Sequence, residues 1–298
     1  MNMYAFMGAI EIGFIFAFVA IGVYISFRIL DFPDLTVDGS FVLGGALFAL
    51  LVICGVNPWV SMLGVLAAGG ISGLITAFLN IRFQILNLLA SILTMTALLT
   101  INQWIMGGKV GSATLTFPFN ATITASVLNI IDIDPTYARP LIFGVLAFIA
   151  VIIVWRYLTS EAGLAMRATG INERMAKAQG VSTALYVYTG MALSNALVAF
   201  GGALFAQINI NADLTAGPGT IVYGLAAVII GEAIFRTRNI FWLLIACVIG
   251  SLIYRLVVQF AMAYSGDLIG TAAMPLITTL IVVLFLVVPK FMGAKNND

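Results

Sequence analysis

Residues 17–36 read AFVAIGVYISFRILDFPDLT, and residues 196–215 read ALVAFGGALFAQININADLT. The second stretch begins 179 positions after the first, and both run from an apolar segment into the same Asp-Leu-Thr turn. The identities are Ala17/Ala196, Val19/Val198, Ala20/Ala199, Gly22/Gly201, Ile29/Ile208, Asp34/Asp213, Leu35/Leu214 and Thr36/Thr215, then, after one extra residue, Gly39/Gly219, Val42/Val222 and Gly44/Gly224. Apolar sequences match one another easily, but a polar turn in register favours an internal repeat. Inverted repeats broken at polar turns are typical of transporters, because half-helix ends inside the bilayer can face a solute.

Composition defines the class of protein. The hydrophobic fraction is 62%, the charged fraction is 8% and the mean hydropathy is +1.13, which predicts a membrane protein with many spans. A net charge of +1 gives no reason to expect a nucleic-acid partner. The sequence has no His, and Cys54 and Cys247 both lie in apolar runs, so we expect neither a metal site nor a cofactor.

Hydropathy predicts an all-α polytopic fold with eight or nine spans. The predicted helices cover about 8–29, 39–55, 59–80, 85–106, 139–158, 183–208, 219–235, 240–262 and 270–289. The segment 219–235 and the entry to the second helix over 34–40 are candidates for re-entrant segments. We expect one transmembrane domain over 1–298, with repeat 1 at about 8–106 and repeat 2 at about 183–289.

Basic residues predict the orientation of the chain in a cell membrane. With 159–182 in the cytoplasm, the basic residues on that side are Arg28, Arg82, Arg156, Arg167, Arg174, Lys177, Arg236, Arg238, Lys290 and Lys295. Only Lys109 and Arg139 then lie outside, and Arg255 falls within a helix. The positive-inside rule therefore predicts an external N-terminus and a cytoplasmic C-terminus. In that topology the two Asp-Leu-Thr turns are entered from opposite sides of the membrane.

The longest predicted cytoplasmic stretch reads TSEAGLAMRATGINERMAKAQGVST over residues 159–183. It predicts a helix over about 161–168 and a second one that starts at Asn172 as N-cap, gains a Glu173/Lys177 pair and stops at Gly180. Such helices could lie on the membrane surface or dock into a groove of a cytoplasmic partner.

Several motifs in order resemble the permeases of ABC importers of the branched-chain amino acid and ribose permease family. Gly163-x-Ala165-x-Arg167-Ala168, followed by Asn172, Ala176 and Gly180-Val181, resembles the family's coupling segment. Residues 31–40 (DFPDLTVDGS) resemble its polar entry to the second core helix, and they look closest to the family's branch of tryptophan-type amino-acid import permeases. Residues 226–232 (AAVIIGE) match its apolar segment, except that Glu232 stands where a second Gly is common.

The resemblance, which spans about 15–290, implies a permease subunit of an ATP-driven importer with an amino acid as the expected solute. It implies three protein partners: a cytoplasmic P-loop ATPase, an extracytoplasmic solute-binding protein and a second permease copy. The chain lacks a phosphate-binding G-x-x-x-x-G-K-[ST] loop, in keeping with ATP hydrolysis on a separate chain. The residues implied in ATPase coupling are Glu161, Gly163, Arg167, Asn172 and Gly180.

Intramembrane polar residues are candidates for the translocation path. The two turns contribute Asp34, Thr36, Asp38, Asp213 and Thr215 as path candidates. Ser40 and Thr220 lie beside them, and an N-cap role for Asp38, Ser40 or Thr220 explains part of this polar cluster without a transport role. Asn87, Ser91 and Thr94 form a stripe on the fourth helix that suits either a hydrated path or hydrogen bonds between helices.

Three further charges have open interpretations. Arg255 could meet a solute carboxylate, pair with Glu232 or extend to a wet surface. Glu232 could form a gate or pair with Arg236. Glu11, near the outer edge of the first helix, is expected to be solvated.

Two other functional classes are alternatives to an ATP-driven importer. An ion-coupled secondary transporter would also use inverted repeats, with Glu232 as the ion-carrying acid. A membrane-embedded enzyme is disfavoured, because no catalytic constellation falls on one face.

Overall fold

The computed structural model describes residues 3–107, 114–128, 134–235, 237, 239–265 and 283. Its helices are α1 (Met3–Val23), α2 (Thr36–Ile53), α3 (Pro58–Phe83), α4 (Asn87–Ile105), α5 (Ile123–Leu128), α6 (Pro135–Leu158), α7 (Glu161–Ile171), α8 (Glu173–Ala178), α9 (Thr183–Asn209), α10 (Thr220–Ile234) and α11 (Ile240–Ser265). A π-helical turn, Tyr24–Ile29, extends α1. Eight segments within the described residues are long and apolar enough to cross a membrane. The all-α polytopic fold is confirmed, and the expected ninth helix at 270–289 lies outside the described residues apart from position 283.

Successive spans run in opposite directions, which gives the bundle two ends. We call the end where α1 begins the α1 end, and the end that carries α7 and α8 the α7–α8 end. At the α1 end, Asn57 and Asp134 each precede a proline and cap a helix, since Trp59 N–H donates to Asn57 Oδ1 (3.0 Å) and Thr136 N–H to Asp134 Oδ1 (3.4 Å). An Asx cap followed by proline is a strong helix start, because proline lacks the N–H that would otherwise be unsatisfied.

The core is built around α1, α2 and α9. Helix α9 packs against α1, α2 and α3, while α3, α4 and α6 keep one side largely exposed. Gly69 and Gly73 of α3 face α9, and a Cβ at Gly73 would collide with the Met191 carbonyl. These two glycines therefore allow a close contact between α3 and α9, as is typical of small residues in membrane helices.

A short β-ribbon departs from the purely helical expectation. Strand β1 (Thr114–Thr116) pairs antiparallel with β2 (Asn211–Asp213), with Thr114 opposite Asp213. Phe117 N–H extends the ladder by donating to the Ile210 carbonyl (3.3 Å). The ribbon ties the segment between α4 and α6 to the residue that opens the second Asp-Leu-Thr turn.

Helix α10 has 15 residues and follows a 3₁₀ turn, Leu214–Ala216. Together, Leu214–Ile234 form an apolar stretch of 21 residues, long enough to span. Re-entrant segments at 219–235 and 34–40, and the division into two repeats, stay predictions.

Candidate translocation site and coupling segment

The first turn, Asp34-Leu35-Thr36, is sealed inside the bundle. Asp34 and Thr36 are both 0% exposed. Asp34 Oδ1 accepts from Thr36 N–H (2.9 Å), and Asp34 Oδ2 accepts from Asn195 Nδ2 (2.7 Å). The Asp34 carboxyl thus meets neutral donors from its own turn and from α9.

A chain of hydroxyls continues from this turn. Thr36 and Thr76 share a hydrogen bond of 2.8 Å, as do Ser40 and Ser72, and Ser40 Oγ donates to Asn195 Oδ1 at 2.7 Å. These bonds join α2, α3 and α9 through buried polar groups, which stabilise one arrangement of the helices when every member is satisfied.

The second turn, Asp213-Leu214-Thr215, has the same local geometry in a different setting. Asp213 Oδ1 accepts from Thr215 N–H at 2.8 Å, the counterpart of the bond in the first turn. Asp213 is half-buried and Thr215 is exposed. This turn borders a cavity of ≈350 Å³ whose lining comprises Phe41, Val42, Gly45, Gly202, Phe205, Ala206, Asn209, Asn211, Ala212, Asp213 and Ala216.

Aromatic rings lie beneath this cavity. The Phe16 ring contacts Phe41, Phe205 and Tyr223 with centroid distances of 5.7, 5.9 and 5.1 Å. Tyr223 also contacts Tyr254 edge-on at 5.2 Å. The cavity therefore combines two aromatic rings in its lining, Phe41 and Phe205, with the Asp213 carboxylate and two carboxamides, and Phe16 packs behind these rings.

Asp38 links the two predicted repeats. Its Oδ2 accepts from Gly219 N–H (3.0 Å) and its Oδ1 from Ile221 N–H (2.8 Å), at the start of α10. A carboxylate at a helix N-terminus satisfies orphan N–H donors and meets the positive end of the helix dipole. The capping interpretation of Asp38 thus holds, with a helix far away in sequence rather than with its own.

Glu232 pairs with Arg28 at the α7–α8 end. Arg28 Nε donates to Glu232 Oε1 at 2.7 Å and Arg28 Nη2 to Oε2 at 2.6 Å, a bidentate pair. The Arg28 side chain is 60% exposed and that of Glu232 is 23% exposed. Among the described residues, Glu232 does not pair with Arg255, and Arg236 lies outside them. The pair joins the π-helical turn of α1 to the last turn of α10.

Arg255 lies beside the aromatic cluster instead. It is within electrostatic reach of Tyr223 and Tyr254, and its Nε is buried without a hydrogen-bond partner in the described part of the chain. Arg255 is not in the lining of the ≈350 Å³ cavity. A role toward a solute carboxylate stays a prediction.

Of the α4 stripe, Asn87 bonds to a neighbouring helix, whereas Ser91 and Thr94 bond within α4. Ser91 Oγ donates to the Leu88 carbonyl (2.9 Å) and Thr94 Oγ1 to the Ala90 carbonyl (3.1 Å), both within α4. Asn87 Oδ1 accepts from Asn80 Nδ2 at 2.6 Å across the α3–α4 turn. Asn87 also lines a cleft of ≈680 Å³ that it shares with Asn172 at the α7–α8 end.

The predicted coupling segment has the expected Asn172 cap and Gly180 stop, together with a Ser160 cap that was not predicted. Ser160 caps α7, Asn172 Oδ1 accepts from Met175 N–H (3.1 Å) at the start of α8, and Gly180 ends the segment with φ +81°. Lys177 Nζ lies 2.7 Å from Glu173 Oε1, and its hydrogen bond lowers the pKa of the Glu173 carboxyl below its usual range. Helix α7 is longer than predicted and extends to Ile171.

The predicted coupling residues divide into a buried or half-buried group and an exposed group. Gly163 is buried, and a Cβ there would collide with the Tyr157 carbonyl, so this glycine allows α7 to pack on the end of α6. Arg167 is half-buried and within electrostatic reach of Tyr24 in the π-helical turn. Glu161, Asn172 and Gly180 are exposed. Large apolar side chains are exposed beside them: Leu164 at 53%, Ile171 at 84% and Met175 at 64%.

Sequence reasoning missed Asn195, Arg28 and the Ser72/Thr76 pair. Asn195 directly precedes the second repeat copy, and its partner Asp34 lies 161 positions earlier in the chain. Ser72 and Thr76 lie one helical turn apart on α3, and this polar spacing within a span was a usable signal.

Comparison with known proteins identifies a matching family, related sequences and a similar structure. The family described as "Branched-chain amino acid transport system / permease component" matches residues 6–289. A tyrosine transport system permease protein of Clostridioides difficile (strain R20291) is 33% identical over 273 residues, which are 91% of this chain and 87% of the relative. A nucleoside ABC transporter permease protein of Lactococcus lactis subsp. cremoris (strain MG1363) is 31% identical over 136 residues, 44% of this chain and 39% of the relative. A chain of PsaBC from Streptococcus pneumoniae, solved with a Fab, has a TM-score of 0.56 at 15% identity over 99% of this chain and 96% of its own, and this likeness concerns the fold.

Proposed function

Since this chain belongs to the branched-chain amino acid transport system permease family and is a permease of the ABC type, we propose that it is the membrane subunit of an ATP-driven importer of an amino acid. A separate P-loop ATPase supplies ATP hydrolysis, a solute-binding protein delivers the solute, and two copies of the chain form the membrane unit. The α1 end then faces outward and the α7–α8 end faces the cytoplasm.

The observation that carries this proposal is the contact between the coupling segment and the end of α1. A Cβ at Gly170 of α7 would collide with the Ile29 carbonyl, and Arg167 lies near Tyr24. An ATPase that moves α7 therefore acts directly on the π-helical turn. That turn carries Arg28 and leads into Asp34, so one displacement reaches both the Arg28–Glu232 pair and the first turn.

The solute proposal rests on the cavity at the second turn and on the tyrosine transport relative. The two aromatic rings in its lining favour planar or apolar side chains, and the Asp213 carboxylate suits an α-ammonium group. We propose that Asp34, Thr36 and Asp38, the path candidates at the first turn, become accessible only when the bundle opens toward the α7–α8 end.

Arg167→Glu tests the coupling proposal. The variant is expected to insert normally, to lose uptake and to lose a co-purifying P-loop ATPase. Arg167→Lys is expected to retain partial activity, and Arg82→Glu, an equal charge change on an exposed residue of α3, tests for a general charge effect. Uptake by Arg167→Glu at the unaltered rate would contradict the coupling role.

A second candidate is an ion-coupled transporter, favoured by one observation. Asp34 is a fully buried acid whose recorded partners are neutral donors, a setting in which protonation or ion binding can drive a change. Glu232 suits this role less well, because Arg28 already occupies both of its oxygens. Uptake by the reconstituted chain alone, driven by an ion gradient without ATP, would select this candidate.

A further inference from the structure

A separate cavity of ≈230 Å³ lies between α1 and α6 at the α1 end. Its lining consists of Tyr4, Met7, Gly8, Glu11, Thr136 and Arg139. None of these residues belongs to the two turns or to the coupling segment. Within this lining, one acid and one base stand on opposite helices.

Glu11 is buried, contrary to the expectation that it would be solvated. Its side chain is only 8% exposed, and its Oε1 has no hydrogen-bond partner in the described part of the chain. Arg139 Nε is likewise buried without a partner there. A buried polar atom of a charged group is costly when it lacks a hydrogen-bond partner, so Glu11 Oε1 and Arg139 Nε both favour a bound group that satisfies them.

The two charges do not satisfy each other directly. Glu11 and Arg139 are within electrostatic reach, yet they form no ion pair within 4.0 Å among the described residues. The Arg139 guanidinium instead lies over the Phe119 ring, 5.4 Å from its centroid. The space between them suits a group that is positive toward Glu11 and negative toward Arg139.

Exposed aromatic residues place this cavity at the level of lipid headgroups. Tyr4, Trp59, Trp104 and Tyr137 are 75%, 50%, 71% and 48% exposed, and all four lie near helix termini at the α1 end. Tyrosine and tryptophan concentrate at membrane–water interfaces, where an apolar ring and a polar tip are both satisfied. Tyr4 itself lines the cavity, which therefore opens where headgroups lie.

We propose that this cavity binds the headgroup of an ethanolamine phospholipid. Arg139 donates hydrogen bonds to phosphate oxygens, and Glu11 accepts from the primary ammonium group. Arginine matches phosphate geometry, and a carboxylate distinguishes an ammonium with N–H donors from a quaternary choline. A free amino acid carries the same two charges, but the position at headgroup level selects the lipid.

The test is lipid binding to the purified full-length chain by native mass spectrometry. The probes are phosphatidylethanolamine, its N,N-dimethyl derivative and phosphatidylcholine. Wild type is expected to lose about tenfold in affinity from the first lipid to the last, since a charge-assisted hydrogen bond is lost. This series needs no variant, so it decides the proposal even where a substitution impairs folding.

Two variants separate the two halves of the site. Glu11→Gln is expected to abolish the difference between the lipids, and Arg139→Gln to weaken all three about tenfold. Asp31→Asn and Arg82→Gln, matched substitutions at the α7–α8 end, are expected to keep the wild-type pattern. Equal wild-type affinity for the three lipids would overturn the proposal. Displacement of phosphatidylethanolamine by free tyrosine in wild type but not in Glu11→Gln would assign the cavity to an amino acid instead.

Discussion

The two Asp-Leu-Thr turns share a sequence and a hydrogen bond but not an environment. In each, the Asp Oδ1 accepts from the Thr N–H, at 2.9 Å in the first turn and 2.8 Å in the second. Asn195 and Thr76 seal the first turn, whereas the second lines a cavity and ends a β-strand. The local sequence therefore specifies the turn, and the packing around it determines which of the two is accessible.

This difference gives the molecule an asymmetry along its axis. The α1 end carries an accessible turn, while the first turn is shut in toward the α7–α8 end. If the halves are inverted repeats, exchanging these two environments would give a state open to the other side. Substitutions at each turn measure how much the surrounding contacts contribute to stability and to uptake.

The largest expected difference is between Asp34→Ala and Asp213→Ala. Asp34→Ala is expected to lower the free energy of unfolding by about 3 kcal/mol, because two buried donors lose their acceptor. Asp213→Ala removes a cap at an accessible position and is expected to cost about 1 kcal/mol. Denaturant unfolding of the detergent-purified variants measures both. Equal losses would show that the surroundings of the two turns do not matter.

Asp38→Ala tests the link between the turns. It is expected to cost about 2 kcal/mol, because Gly219 and Ile221 N–H both lose their acceptor at the start of α10. Asp38→Asn keeps one acceptor oxygen and is expected to lose about half as much. Hydrogen exchange of the first turn of α10 measures the effect locally, and unchanged protection in Asp38→Ala would contradict the cap.

A double-mutant cycle on Thr36 and Thr76 measures the seal of the first turn. Each change to Val is expected to cost about 1 kcal/mol, because the partner hydroxyl is left buried with one bond fewer. The double variant is expected to cost less than the sum of the two, because no unpaired partner remains. Thr215→Val, at the exposed counterpart, serves as the control with little expected change. Additive losses would mean that the two hydroxyls do not interact.

The smallest effect on stability is expected at Arg28 and Glu232. Because Arg28 is largely exposed, reversing either charge is expected to cost less than about 1 kcal/mol. Uptake is expected to fall in Glu232→Arg and to recover in the combined Arg28→Glu/Glu232→Arg variant, since the swap restores the pair between α1 and α10. Full uptake by both single variants would exclude a gating role for this contact. Loss of uptake that the swap does not restore would also contradict it.

Local signals predicted local structure well. The Asn172 cap, the Glu173–Lys177 pair and the stop at Gly180 were all visible within a few residues, because short-range contacts decide them. Hydropathy predicted the spans for a similar reason, since each span must satisfy its own backbone.

Contacts between distant residues could not be predicted in this way. Arg28 and Glu232 are 204 positions apart, and Asp38 and Ile221 are 183 apart. Nothing in either segment specifies its partner. Glu11 shows the same limit, because its burial depends on α6, a helix that contributes Arg139 from elsewhere in the chain. The three-residue strand β1 was missed because its partner strand lies beyond five intervening α-helices.

The ribbon formed by β1 and β2 constrains the order of events while the chain is synthesised and inserted. Strand β1 leaves the ribosome before α6, α7, α8 and α9, and its partner β2 follows directly after α9. The ribbon can therefore close only when the sixth span has been inserted into the bilayer. Until then the segment around Thr114–Thr116 is open to proteases, and its acquisition of protease resistance would time the assembly of the bundle on the translocon.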